Sequence, residues 1–196
     1  MARYGLTGNI GCGKSTVANF FREFKDVVVF DADSIAKEIL CDDRYAPELQ
    51  RMFGKKIFSK GKIDTKEVSL LVFNNDAALE RLENFIHPLT WQAIFQREQK
   101  YNDISFFLVE SALIYESNKA QIFDGVIVAT CPEDVQYDRL IQNRGFTEEG
   151  IMKRLKKQLS LAEKVKRADF VIDTDCSLPE LKDRVRKLYD RLKGGV

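Results

Sequence analysis

Gly8-Asn9-Ile10-Gly11-Cys12-Gly13-Lys14-Ser15 sets glycine, lysine and a hydroxyl at the spacing G-x-x-x-x-G-K-[ST]. Glycines in such a loop let consecutive backbone N–H groups turn inward around phosphate oxygens, and a helix N-terminus adds its partial positive charge. Lys14 is then placed to bridge β- and γ-phosphates, the Ser15 hydroxyl to ligate Mg2+, and Thr16 to add a phosphate hydrogen bond. The predicted ligand is Mg-ATP, held by Gly8, Gly11, Cys12, Gly13, Lys14, Ser15 and Thr16. A chance lysine after a glycine-rich turn is the competing reading. The apolar run before the loop and the amphipathic run after it argue against that.

A phosphate loop alone says nucleotide and leaves the reaction open. Asp31-Ala32-Asp33 directly follows a second apolar run and opens a helical one. In an open α/β sheet, ligands gather at the carboxyl ends of the strands. A carboxylate there can serve as base for an acceptor hydroxyl or as an outer-shell Mg2+ ligand. One of the two can instead simply cap the helix of residues 34–40; we assign Asp33 the catalytic role and Asp31 the structural one. Glu110 closes a third apolar run and resembles a Walker-B acid, a second candidate for the metal.

Positive charge is concentrated in one segment. Between Arg139 and Arg167 nine Lys or Arg stand against three Glu, although the whole chain is only +1. Arginines in a helical lid would neutralise charge on a transferring phosphoryl group. Arg139 and Arg144, where a helix leads into the segment, are the candidates, and Lys153, Lys156 and Lys157 read as a solvated face. Nucleic-acid binding is the alternative, but no aromatics interleave with the charges as base stacking requires. His87, followed by Pro88, is the single histidine, and lone histidines are more often structural. No Cys-His or Ser-His-Asp set supports covalent catalysis.

Positioning these residues takes short buried strands alternating with helices. Continuous apolar runs at residues 3–6, 27–30, 105–109, 126–129 and 170–172 predict five strands covered on both faces, hence an α/β fold with a parallel sheet. Helix signals lie between them: residues 14–24 after the loop, Pro132-Glu133-Asp134 opening a helix that Gly145 caps, and capping boxes at Ser160 and Ser177. Leu181, Val185, Leu188 and Leu192 share one face of the last helix. Residues 42–102 show no buried strand and read as several helices, with Leu79, Leu82, Phe85, Ile86, Leu89, Ile94 and Phe95 at helical spacing. Such an insertion predicts a substrate-covering subdomain, with a plain helical hairpin as the alternative.

At 196 residues with 44% hydrophobic and 31% charged residues, the chain has ordinary globular composition. No apolar run approaches ~18 residues, and Met1-Ala2-Arg3 leads straight into a strand, so neither a membrane span nor a secretory leader is predicted. Cys12, Cys41, Cys131 and Cys176 are scattered without metal-ligand spacing, which predicts reduced thiols in a cytoplasmic enzyme.

The ordered set of these features resembles dephospho-coenzyme A kinase. The resemblance rests on the run from Gly5 to Thr16, Asp31-Ala32-Asp33, His87-Pro88, Leu113-Ile114-Tyr115-Glu116, Arg139, Arg144, Arg154 with Gln158, and Lys164 with Arg167-Ala168-Asp169. It implies a P-loop NTPase core, a three-layer α/β/α sandwich with a parallel five-stranded sheet, over residues 1–41, 103–143 and 168–196. It further implies a helical coenzyme A-binding insertion at 42–102 and a helical lid at 144–167. The implied reaction is ATP-dependent phosphorylation of the ribose 3′-hydroxyl of dephospho-coenzyme A, the last step of coenzyme A synthesis, by a cytoplasmic monomer or weak oligomer without nucleic-acid or membrane partners. Asp33 matches the family's proposed base, and His87 and Leu113 fall in its acceptor site. Asn9 and Cys12 stand where the family usually has glycine and serine. Glu110 replaces a common Asp, and Ser111-Ala112 replaces an apolar residue and proline. Other small-molecule or nucleoside monophosphate kinases share the loop and lid but lack the Asp-Ala-Asp and His-Pro elements. A guanine-nucleotide switch would carry an Asn-Lys-x-Asp motif, which this sequence does not contain.

Overall fold

The computed structural model describes residues 1–73 and 75–194, with the side chains of residues 143 and 144 also outside the described set. Strand β1 (Ala2–Thr7) runs into the phosphate loop and helix α1 (Lys14–Phe21), followed by β2 (Val27–Asp31) and α2 (Ala32–Leu40). Next come α3 (Ala46–Phe53), β3 (Phe58–Ser59), β4 (Lys62–Ile63), α4 (Thr65–Phe73) and the long α5 (Asp76–Glu98). The chain then continues through β5 (Phe106–Glu110), β6 (Gly125–Thr130), α6 (Glu133–Arg144), α7 (Glu148–Leu155), α8 (Leu161–Lys166), β7 (Phe170–Asp173) and α9 (Leu178–Lys193).

Five strands form one parallel sheet in the order β2-β5-β1-β6-β7. The central strand β1 pairs with β5 on one side, Leu6 opposite Glu110, and with β6 on the other, Leu6 opposite Ile127. The crossover switches sides at β1, and such a switch point opens a ligand crevice beyond the strand's carboxyl end. All five predicted strand runs lie within or overlap these strands.

Side-chain alternation sends Tyr4 and Leu6 to one face of the sheet. There they pack with Val17 and Phe21 of α1 and with Leu181, Val185 and Leu192 of α9. Val126 and Val128 point to the other face and meet Ile114, Tyr115 and the α8 side chains Leu161 and Val165. Helices on both faces make the sandwich three-layered. Full burial of a side chain such as Phe21 stabilises the fold by about 1.5–3 kcal/mol.

Contacts divide the chain into two compact units, residues 1–30 with 102–196 and residues 31–101. The second unit has its own apolar cluster, built on Leu49, Phe53, Ile57, Val68, Leu82 and Ile86. It also holds a hairpin that the sequence reading missed. β3 and β4 pair antiparallel through Lys60 and Gly61, both at positive φ. Two-residue strands leave no alternation to detect.

Candidate active site

The loop after β1 needs glycine for steric as well as conformational reasons. Gly8 has φ 143°, and a Cβ there would run into the Ala129 carbonyl oxygen. Gly13, the N-cap of α1, has φ 77°, and a Cβ would sit 2.9 Å from Thr174 Oγ1. Gly11 shares the left-handed backbone, at φ 86°. The chain can therefore curl with its amides inward and hand over directly to a helix N-terminus, which is the physical basis of phosphate binding.

Side chains from distant segments brace this loop. Ile10 N–H donates to Gln158 Oε1 at 3.1 Å, while Gln136 Nε2 donates to the Ile10 carbonyl oxygen. Cys12 N–H donates to Asn9 O at 3.1 Å. Buried Thr174 stands behind the loop, its Oγ1 3.2 Å from Cys12 O and 3.1 Å from Thr130 O. Arg139 clamps that threonine, donating to its Oγ1 at 2.9 Å and to its carbonyl oxygen at 2.8 Å. Arg139, predicted as a charge-neutralising arginine where a helix leads into the lid, thus reaches the loop through Thr174. Arg144 is the last residue of α6, and its side chain lies outside the described residues.

Three of the predicted groups, Lys14, Ser15 and Glu110, have partners in or on the phosphate loop. Ser15 Oγ donates to Glu110 Oε1 at 2.7 Å, joining the phosphate loop to the acid at the end of β5. Lys14 Nζ donates to Asn9 O at 3.1 Å, folded back over the loop. Buried oxygens Thr7 Oγ1 and Asn9 Oδ1 have no hydrogen-bond partner, a costly state of about 1–3 kcal/mol each in an otherwise well-bonded loop. Among the described residues no cluster of three or more His, Cys, Asp or Glu could hold a metal alone. A cation at Ser15 and Glu110 would complete its shell with phosphate and water oxygens, which is the habit of Mg2+, and the all-oxygen donor set fits it.

Lys164 and Glu116 support the segment that carries Gln158. Lys164 is fully buried; its Nζ donates to Ala112 O at 2.7 Å and pairs with Glu116 Oε1 at 2.9 Å. Glu116 Oε1 also accepts from Leu159 N–H at 2.8 Å. Burial pulls the Lys164 ammonium below its usual pKa, and the bond to Glu116 opposes that pull. Lys153, Lys156 and Lys157 are exposed, as the sequence reading expects. Sequence reasoning missed Thr174 and Gln136 as loop braces and gave no role to the Lys164 side chain. Their partners lie 35 to 162 residues away for Thr174, 126 for Gln136 and 52 for Lys164, so no local pattern announces them.

In the second unit, Asp31 is the N-cap of α2. Its carboxylate accepts from the N–H groups of Asp33 and Ser34, at 3.0 and 3.1 Å, and from Ser34 Oγ at 2.6 Å. Asp33 is exposed in the first turn of that helix. His87 is half-buried within α5, whose ladder tolerates Pro88 because the carbonyl that loses its donor belongs to exposed Asn84. In the first unit, half-buried Leu113 donates its N–H to Ser111 Oγ at 3.3 Å.

A family model for dephospho-CoA kinase matches residues 3–180. The dephospho-CoA kinase of Aquifex aeolicus is 38% identical over 194 residues, covering 98% of both chains. Among solved structures, a Thermus thermophilus protein superposes with TM-score 0.85 at 27% identity over 97% of each chain. The dephospho-CoA kinase from Campylobacter jejuni superposes with TM-score 0.65 at 31% identity over 98% of each. With its nucleotide loop, its Ser15–Glu110 bond and a match along nearly its whole length, this chain belongs to the dephospho-CoA kinase family.

Proposed function

We propose that this chain transfers the γ-phosphoryl group of Mg-ATP to the ribose 3′-hydroxyl of dephospho-coenzyme A, giving coenzyme A and ADP. The observation that carries the proposal is the Ser15–Glu110 hydrogen bond at 2.7 Å beside a lysine-bearing phosphate loop. The loop amides from Gly8 to Thr16 cradle the phosphates, and Lys14 leaves Asn9 O to bridge the β- and γ-groups. Ser15 and Glu110 would hold Mg2+, which would supply positive charge to offset that of the phosphates. Arg139 and Arg144, on the helix that leads into the lid at residues 144–167, offset charge on the equatorial oxygens. Asp33 accepts the proton of the attacking hydroxyl. His87 and Leu113 contact the acceptor, with the helical insertion at 42–102 covering it. The enzyme works in the cytoplasm as a monomer or weak oligomer, with ATP and dephospho-coenzyme A as its partners and neither nucleic acid nor membrane among them.

The test is phosphoryl transfer from Mg-ATP to dephospho-coenzyme A, run beside AMP, CMP, shikimate and no acceptor. Coenzyme A should form only with dephospho-coenzyme A, and Asp33→Asn should lower kcat by about 10²–10⁴-fold. Full activity in that variant would remove Asp33 from the role of base. Turnover on another acceptor alone would overturn the substrate assignment.

A further inference from the structure

Gln158 stands where two lines of contact meet. Its side-chain Oε1 accepts from Ile10 N–H at 3.1 Å, and its chain neighbour Leu159 donates its N–H to Glu116 Oε1 at 2.8 Å. The same Glu116 oxygen pairs with Lys164 Nζ at 2.9 Å, and Lys164 also donates to Ala112 O at 2.7 Å. Resting on the Mg-ATP reading of the loop given above, we propose that Gln158 is a positioning residue for ATP. It orients the peptide unit that carries the resting place of Lys14, and the buried Lys164–Glu116 pair sets where Gln158 stands.

A peptide unit is planar, so fixing its N–H also fixes its carbonyl. The unit between Asn9 and Ile10 has its N–H on Gln158 Oε1. Its carbonyl oxygen, Asn9 O, accepts from Cys12 N–H at 3.1 Å and from Lys14 Nζ at 3.1 Å. Gln158 therefore directs the carbonyl that both closes the turn of the loop and holds the loop lysine. The next unit is held as well, its Ile10 carbonyl oxygen accepting from Gln136 Nε2 on α6. A loop kept in one arrangement before ATP arrives has less ordering to lose on binding.

The pair behind Gln158 is better suited to positioning than to stability. The Lys164 side chain is 0% exposed and that of Glu116 16%. A buried ion pair commonly stabilises a fold no more than apolar residues of the same volume. What this pair does supply is direction. Lys164 grips the turn after β5 through Ala112 O and Glu116, and Glu116 passes the constraint on by accepting Leu159 N–H. Tyr115 OH, in the same turn, donates at 2.9 Å to the carbonyl oxygen of Arg167, the C-cap of α8. The strand before that turn ends in Glu110, which accepts from Ser15. The phosphate loop is thus held by the end of β5 directly and, through the turn that follows β5, by Gln158.

The experiment measures Mg-ATP affinity of the full chain by titration calorimetry with no acceptor present, so the result stands even if the acceptor proposed above is wrong. Gln158→Met keeps the length and removes the accepting oxygen; affinity should fall about tenfold, as when a loop N–H loses its partner. Lys164→Met/Glu116→Met replaces the whole pair and so strands no buried charge. It should cost about three- to tenfold in affinity, the worth of one net hydrogen bond. Added to Gln158→Met, the same double replacement should cost nothing further, because the pair acts through Gln158. Melting midpoints of the nucleotide-free proteins are read alongside. A merely structural role would lower the midpoint and leave the affinity of the folded protein as it was. Wild-type affinity in Gln158→Met would overturn the role of Gln158. Unchanged affinity in the pair variant, or losses that add in full, would overturn the role of the pair. Absence of ATP binding by wild type would overturn the nucleotide reading, and this role with it.

Discussion

Glu110 is only 7% exposed, and its carboxylate accepts the Ser15 hydroxyl at 2.7 Å, which ties the end of β5 to the phosphate loop. An amide in its place would preserve length and acceptor oxygen while removing the charge. In the proposed reaction, Glu110→Gln should raise the Mg2+ concentration for half-maximal activity by about 10–100-fold. A Mg2+ titration of kcat reads this, and an unchanged midpoint would take Glu110 out of the metal site. At this scale the sequence was legible wherever the chemistry is contiguous. The phosphate loop is one eight-residue motif, and the capping role of Asp31 follows from where an N-cap must stand. Legibility ended where a side chain works on a partner far along the chain. Thr174 supports Cys12 from 162 residues away, and Lys164, which sits in a run of basic residues, is buried by Glu116 and Ala112 O.

Elements are tied together by another carboxylate, Asp26, just ahead of β2. It accepts from Ser105 Oγ before β5, from Tyr189 OH at 2.9 Å and from Lys193 Nζ at 2.8 Å, both on α9. The Lys193 bond first, and the Ser105 bond second, hold its carboxyl well below the usual 3.8. A depressed carboxyl pKa stabilises the fold above the unfolded value, and that contribution is lost as pH falls below 3.8 toward the folded value. Asp26→Asn should therefore be less stable than wild type at neutral pH, by about 1–2 kcal/mol, and the gap should begin to narrow as pH falls below 3.8. Urea midpoints measured from about pH 7 down to about pH 3 would show it; a gap independent of pH would mean that packing, not charge, is what the substitution removes. Strands were the elements most readable from sequence, because a strand covered on both faces is an unbroken apolar run. The serine caps at 160 and 177 were equally local, each accepting from the N–H three residues on. The β3–β4 hairpin was invisible since only Lys60-Gly61 and four flanking residues make it.

Across the whole molecule, the described apolar clusters divide between the two units. The Leu49 cluster draws its members from residues 31–101, and the cluster around Leu6, Phe21 and Ile127 draws its own from residues 1–30 and 102–196. Each unit thus buries apolar side chains against its own helices or sheet, which is the physical condition for opening on its own. Leu49 is fully buried, so Leu49→Ala should remove about 2–5 kcal/mol from the unit that contains it. Native-state hydrogen exchange would localise the loss. Amides of α3, α4 and α5 should exchange faster by the corresponding factor, while those of β1, β5 and β6 keep their protection. ATP should still bind the variant, because every residue of the phosphate loop and its braces belongs to the first unit. Equal loss of protection in both units would show instead that the chain opens as one cooperative body, and nucleotide affinity would then fall together with the stability of the second core.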